Sequence, residues 1–323
     1  MTIKYLRWKK KSNGVNDFRW NSQTFLPLSN GIKKMKMASK IKTLLFLLIG
    51  LNSLHAKSQV NLNDCIFQPA DQQIAEEKLN AFSSEADLPI ADLLVKIGES
   101  FIGTPYVAAT LENGLQEKLV VNLRELDCTT FVECTLALAR TIKLKKNDFE
   151  SFLKELQNLR YRDGIRNQYP SRLHYFCEWI ENNNKKGIIS RKANENGVKS
   201  DKAINYMSTH PSDYPVLKEH PELIPTIAQQ EKEISAKGFM YFPKNNIANL
   251  YRNLQHGDII ALTSSIDGVD VNHVGIIVKK GNEFYLLHAP LSGKKVLVSD
   301  GPITDFLKLQ SKNSGIMIAR PVF

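Results

Sequence analysis

Apolar positions recur at a helical period between residues 89 and 181, then collect into short runs broken by Gly and Asn after residue 257. Ile90, Leu93, Leu94, Ile97 and Phe101 share one helical face, with Pro89 suited to the first turn. Gly103-Thr-Pro-Tyr106 ends that helix. Positions 131, 135, 138 and 142 repeat the period, which puts Cys128 at or just before a helix N-terminus. Residues 149–159 and 173–181 read as helices too. Residues 182–202 are polar and rich in Asn, Lys and Gly, which suits an exposed loop or insertion reaching to about residue 225. Runs at 257–262, 273–278, 283–288, 296–299 and 315–320 read as strands. Helices first and antiparallel strands afterwards predict an α+β domain. No internal repeat is present.

Charge changes the picture at one end only. The chain has 323 residues, 43 basic against 33 acidic side chains and a formal charge of +10. Eleven of the basic residues but only one acid, Asp17, lie in residues 1–56. Residues 57–323 therefore carry 32 of each sign and are neutral. A basic field of the kind that binds nucleic acid is absent from that body. The run Leu44-Leu-Phe-Leu-Leu-Ile-Gly-Leu51 is too short to span a bilayer. It follows Lys36, Lys40 and Lys42 and precedes Ser53-Leu-His-Ala56, the order of a secretory signal. Residues 1–56 are read as a leader that is removed, and 57–323 as one exported domain. Export makes disulfides among Cys65, Cys128, Cys134 and Cys177 possible, with three full pairings that sequence does not separate.

The chemistry-bearing candidate is Leu126-Asp-Cys-Thr-Thr-Phe131. A cysteine at a helix N-terminus meets unsatisfied N–H groups and the positive end of the dipole, which favour the nucleophilic thiolate. Taken alone, Cys128 also fits an inert buried thiol. Cys134 and Cys177, inside helical runs, read as core. A nucleophile needs a base, and Gly281-Asn282 supplies the geometry for one. As a two-residue hairpin turn it sets Lys280 opposite Glu283 and His288 opposite Gly275. His273, Gly275 and Ile277 then share a face with Phe284, Leu286 and His288, making the two imidazoles diagonal neighbours. Gly275 leaves room beside the base. The roles follow: Cys128 attacks, His273 takes the thiol proton and His288 orients His273.

Gly103-Thr-Pro-Tyr106, Asp127-Cys128, Gly257-Asp258, His273-Val-Gly275 and His288 resemble, in this order, the NlpC-type papain-like cell-wall hydrolases. The likeness is closer to an amidase branch catalogued as a domain of unknown function. Its marks are Val121-Asn-Leu-Arg-Glu-Leu-Asp-Cys-Thr-Thr-Phe-Val-Glu133, Arg160-Tyr-Arg162, Tyr169-Pro-Ser-Arg-Leu-His-Tyr175 and Met207-Ser208, spanning nearly all of 89–320. The resemblance implies a papain-like fold and a Cys-His-His triad. It also implies N-acetylmuramoyl-L-alanine amidase activity on muropeptides, with 1,6-anhydro-muramoyl peptides preferred, in the periplasm. By the same resemblance Tyr106 would stabilise the oxyanion with the Cys128 N–H, and Asp127 would lie near the peptide. Pro290, after His288-Ala289, departs from the small polar residue of the pattern.

Arg160, Arg162 and Arg172 are candidate ligands for stem-peptide carboxylates, since guanidinium and carboxylate pair through two hydrogen bonds. Arg166 reads equally as part of a solvated helix end. Tyr175 would stack on a sugar or fill the core. His210 and His220 receive no role, and nothing here requires a metal or another cofactor. Two rival functions remain: an endopeptidase cutting between D-glutamate and the diamino acid, and a catalytically silent wall-binding protein.

Overall fold

The computed structural model describes residues 62–323; the segment read as a leader and export signal lies outside them. Five helices come first: α1 (Pro69–Ala81), α2 (Ile90–Glu99), α3 (Cys128–Lys143), α4 (Phe149–Arg160) and α5 (Phe176–Lys185). Later come α6 (Ile224–Lys237), α7 (Ile247–Asn253) and α8 (Ile303–Leu309). Short strands β1 (Cys65–Ile66) and β2 (Leu119–Val120) pair in parallel beside the first helices. The remaining strands are β3 (Ile189–Ser190), β4 (Val198–Ser200), β5 (Phe239–Pro243), β6 (Ile259–Ser264), β7 (Val271–Lys280), β8 (Glu283–His288), β9 (Leu297–Val298) and β10 (Asn313–Pro321). They form one sheet in the order β4-β5-β10-β6-β7-β8-β9, with β3 on β10, and every pairing in it is antiparallel. The α+β class is the one the sequence predicts. Among the described residues no helix is long and apolar enough to cross a membrane.

The sheet separates two cores. Val274, Ile276, Val278 and Leu287 face the large one, built with Leu93, Leu94 and Ile97 of α2 and Phe131, Leu136 and Leu138 of α3. Ile260, Ile277, Leu286 and Ile318 face the smaller one, closed by Ile303 and Leu307 of α8. α3 is the central helix, buried along most of its length. That burial reaches a charge. Glu133 of α3 and Arg160 of α4 pair at 2.7 Å with side chains only 3% and 2% exposed. Arg160 also donates to the Val120 carbonyl, and the Trp179 indole N–H donates to Glu133, so α3, α4, α5 and β2 meet at one satisfied ion pair.

The segment read as an exposed polar insertion is different in the structure. Residues 182–185 finish α5, and β3 and β4 extend the sheet. Ile188, Ile189, Ile204, Met207, Val216 and Leu217 are buried. Asn183 and Asn194 serve the backbone rather than solvent. Asn194 accepts from the Ile318 N–H at 2.8 Å and donates to the Ile318 carbonyl, closing a stretch of β10 as a strand would. α1 and α6 were not expected either, because each buries only a thin stripe of a polar helix. In α6 that stripe includes Glu231, which accepts from the Tyr175 hydroxyl at 2.6 Å.

Candidate active site

The hairpin register is the expected one. Lys280 pairs with Glu283, Val278 with Tyr285 and Ile276 with Leu287. A Cβ built on Gly275 would lie 3.0 Å from the His288 Cβ and 2.9 Å from the Leu287 carbonyl, so His288 sits against it. The two imidazoles meet: His273 Nε2 and His288 Nδ1 are 2.7 Å apart. One nitrogen of the contact donates, which fixes both tautomers together. Gly275→Ala should press on the β8 backbone and on His288 at once. It is expected to reduce kcat by up to about 100-fold, the order of loss a 1 Å misplacement causes. Steady-state kinetics on the folded variant checks this.

Cys128 is the first residue of α3, as its sequence predicts. Asp127 is the N-cap: its Oδ1 accepts from the Thr130 N–H at 2.8 Å and from the Thr130 hydroxyl at 2.8 Å, while its own N–H donates to that hydroxyl. The half-buried thiol lies against β7, where the Val274 N–H donates to the sulfur, as does the Thr129 hydroxyl. Val274 follows His273 directly, so the thiol lies against the strand that carries His273. Tyr106 arrives by backbone pairing. Its segment bridges in parallel to Leu126, two residues before Cys128, and its N–H donates to the Lys294 carbonyl at 2.8 Å. Tyr106 and Cys128 pack against the large core together.

One electrostatic expectation is reversed. Burial, reinforced by the adjacent Asp127 carboxylate, pushes the Cys128 thiol up to about 11, against the opposing effect of its N–H and hydroxyl donors. Cys128 therefore rests as a thiol, not a preformed thiolate. The two imidazoles are shifted in the opposite direction. Burial lowers His273 to about 4, and burial together with His273 lowers His288 to about 2. Both imidazoles are neutral at pH 7, the state in which a ring nitrogen is able to accept a proton. The neutral form is needed, so kcat/KM should hold as pH falls through the ordinary 6.5 and drop only as it approaches about 4. Stability runs the same way. An unfolded imidazole takes up its proton near 6.5 and the folded one does not, so this contribution is full above 6.5 and lost progressively below it. Denaturant titrations at pH 7.5 and 5 would show the decline.

The remaining candidates are placed in the interior rather than around the thiol. Arg160 is the buried partner of Glu133. Arg172, 6% exposed in its side chain, is held by Glu112 at 3.0 Å and Glu117 at 2.9 Å. Arg162 donates from Nε to Glu178 at 2.9 Å and from NH1 to the Pro170 carbonyl at 2.6 Å. Tyr175 is 3% exposed, and its hydroxyl is held by Glu231 and the Met207 N–H. Buried guanidinium groups already matched by carboxylates, and a phenol enclosed in the core, do not present themselves to a substrate. Arg160, Arg172 and Tyr175 are thus held in the interior by partners of their own. Arg162 is tied to Glu178 and Asp127 to its helix. Gly257-Asp258 is structural too, Asp258 pairing with Arg320 at 2.7 Å. Cys134 and Cys177 are buried thiols, as expected of core residues. Sequence reading missed Thr129, visible in the Asp-Cys-Thr-Thr run. Among the described residues no group of three or more His, Cys, Asp or Glu is placed to hold a metal ion.

Comparison with known proteins decides the family. The AmiA-like family, described as N-acetylmuramoyl-L-alanine amidase-like, matches residues 96–316. The chain belongs to this family. A solved structure of an N-acetylmuramoyl-L-alanine amidase from Bacteroides uniformis is 36% identical and superposes with a TM-score of 0.68. The match covers 72% of this chain and 99% of that one. A Bacteroides fragilis protein described provisionally as a xylanase is also 36% identical, with a TM-score of 0.63, covering 70% of this chain and 99% of that one. A Legionella pneumophila protein shares the fold at 20% identity and a TM-score of 0.61, over 78% of this chain and 96% of that one. No curated protein matches the sequence. The chain is thus a member of an amidase-like family of peptidoglycan hydrolases.

Proposed function

We propose that this chain is an exported cysteine amidase that cleaves the amide between the muramoyl lactyl group and L-alanine. Its substrates in this reading are muropeptides, 1,6-anhydro-muramoyl peptides among them, met in the periplasm after the leader is removed. Residues 57–323 act as a single papain-like domain of the NlpC type. The observation that carries the reading is the contact of His288 with His273, the residue of β7 just before Val274, whose N–H donates to the Cys128 sulfur.

The mechanism follows from these atoms. His273 takes the thiol proton as Cys128 attacks the lactyl carbonyl. His288, hydrogen-bonded to His273, holds the ring and its tautomer. The tetrahedral oxyanion is met by the Cys128 N–H at the helix start and by the Tyr106 hydroxyl. Collapse expels the peptide, whose new amine takes the proton from His273. Water, deprotonated by His273, then hydrolyses the thioester and frees the thiol. A glycosidase reading, suggested by the Bacteroides fragilis relative, fits less well. Glycoside hydrolysis uses a pair of carboxyl groups flanking the bond. Here the candidate groups are a thiol and two imidazoles, and the neighbouring Asp127 caps a helix.

Product masses from a disaccharide anhydro-muramoyl tetrapeptide test the bond. Free disaccharide and intact tetrapeptide are expected. A sugar still bearing L-Ala-D-Glu would make the protein an endopeptidase, and no cleavage would favour a wall-binding role.

A further inference from the structure

A third ring stands beside the two imidazoles. Phe306 of α8 lies edge-on to His288 with centroids 5.2 Å apart at 85°, and 6.3 Å from His273 at 34°. The imidazole centroids are themselves 4.9 Å apart. Phe306 is half-buried and packs on the smaller core, on the face that carries Ile277 and Leu286. The ring therefore covers the pair from the side opposite the large core, where the cover is a helix of only seven residues.

We infer that Phe306 is a positioning residue of the reaction: it holds the His273–His288 contact in place and keeps water from it, so that the base stays unprotonated in weakly acidic surroundings. This rests on the reading of His273 and His288 as base and orienter. Edge-to-face packing fixes the plane of the His288 ring, and with it the direction of the nitrogen that faces His273. Cover matters because an imidazolium is favoured by water and disfavoured by an apolar wall.

Charged neighbours do not supply the effect instead. Strands β6 and β9 carry no charged residue. On β7 and β8, Lys279, Lys280 and Glu283 lie at the turn end of the hairpin, away from His273 and His288. Lys294, Lys295 and Asp300, flanking β9, are exposed. On α8, Asp305 and Lys308 pair with each other at 2.8 Å on the surface. Asp270, just before β7, is tied to the Cys177 N–H. At the head of α3 stand Cys128 and Asp127, the latter engaged with Thr130. Burial is the cause of the lowering at His273, and His288 adds to it only the charge of His273.

The test uses the full chain as wild type, Phe306→Leu, Phe306→Val and Phe306→Ala, with Leu309→Ala as control because Leu309 is 82% exposed on the same helix. Imidazole titrations are read by NMR on histidine-labelled protein, and kcat/KM is read against pH. In Phe306→Ala both the His273 titration and the acid limb should rise by about one pH unit or more toward 6.5, as water reaches the ring. Phe306→Val should fall between, and Phe306→Leu and Leu309→Ala should match wild type. A folded Phe306→Ala, or Phe306→Val where alanine does not fold, that titrates within about 0.3 units of wild type overturns the inference. A raised titration in a protein whose wild type cleaves no muropeptide supports the cover and refutes the functional reading.

Discussion

Cys128→Ala is expected to lower kcat/KM for muropeptide hydrolysis by at least about 10⁴-fold while the protein stays folded, the loss typical of removing a nucleophile. The reasons are local. No other thiol stands in its position: Cys134 is two helical turns deep in α3, 1% exposed, and pushed up to about 12 by burial. The cap that starts α3 is made by Asp127 and Thr130, so the alanine variant keeps it. Cys134→Ala, in contrast, should lose stability and keep its activity per folded molecule. Because the resting Cys128 is a thiol, alkylation by iodoacetamide should be slow at pH 7 and accelerate as pH rises toward about 11. Wild-type rates from Cys128→Ala would remove the nucleophile from the account. Fast alkylation at pH 6 would mean a preformed thiolate.

Glu133→Ala should cost about 3–5 kcal/mol of stability, the effect of leaving a buried guanidinium without its counter-charge. Glu133 and Arg160 are both nearly inaccessible, and two further hydrogen bonds complete the cluster, so no solvent is at hand to replace the carboxylate. The loss should appear in urea unfolding at pH 7 with an unchanged m-value. The double replacement Glu133→Leu with Arg160→Met should recover part of it, since an apolar pair of similar volume avoids the buried charge. If Arg160 instead bound a stem-peptide carboxylate, Arg160→Met would raise KM in a protein of wild-type stability.

These two residues show where sequence reading succeeds and where it stops. Cys128 was legible because a helix start is local, set by the regular apolar period that begins at Phe131. The histidine pair was legible because a two-residue turn fixes register, and register alone decides which side chains share a face. Arg160, Arg172 and Tyr175 carried the same marks of charge and aromaticity that a binding surface would. What placed them inside was the position of Glu133, Glu112, Glu117 and Glu231, separated from them by as few as 27 and as many as 60 residues. Such long-range pairing leaves no periodic trace. Strands β3 and β4, two and three residues long, are below the length at which alternation is visible. β5 is missed for another reason: its Phe-Met-Tyr-Phe-Pro run does not alternate. Phe306 sits on a short helix between strands, and only the folded chain brings it to the imidazoles.

The most direct test of the central claim is to quench wild-type protein in acid during turnover of a disaccharide anhydro-muramoyl tetrapeptide and map the attached mass by peptide sequencing. The proposed reaction predicts the disaccharide anhydro-muramoyl acyl group on Cys128, with intact tetrapeptide in solution. An adduct that retains L-Ala-D-Glu, an acyl group on another residue, or undiminished turnover by Cys128→Ala would contradict it.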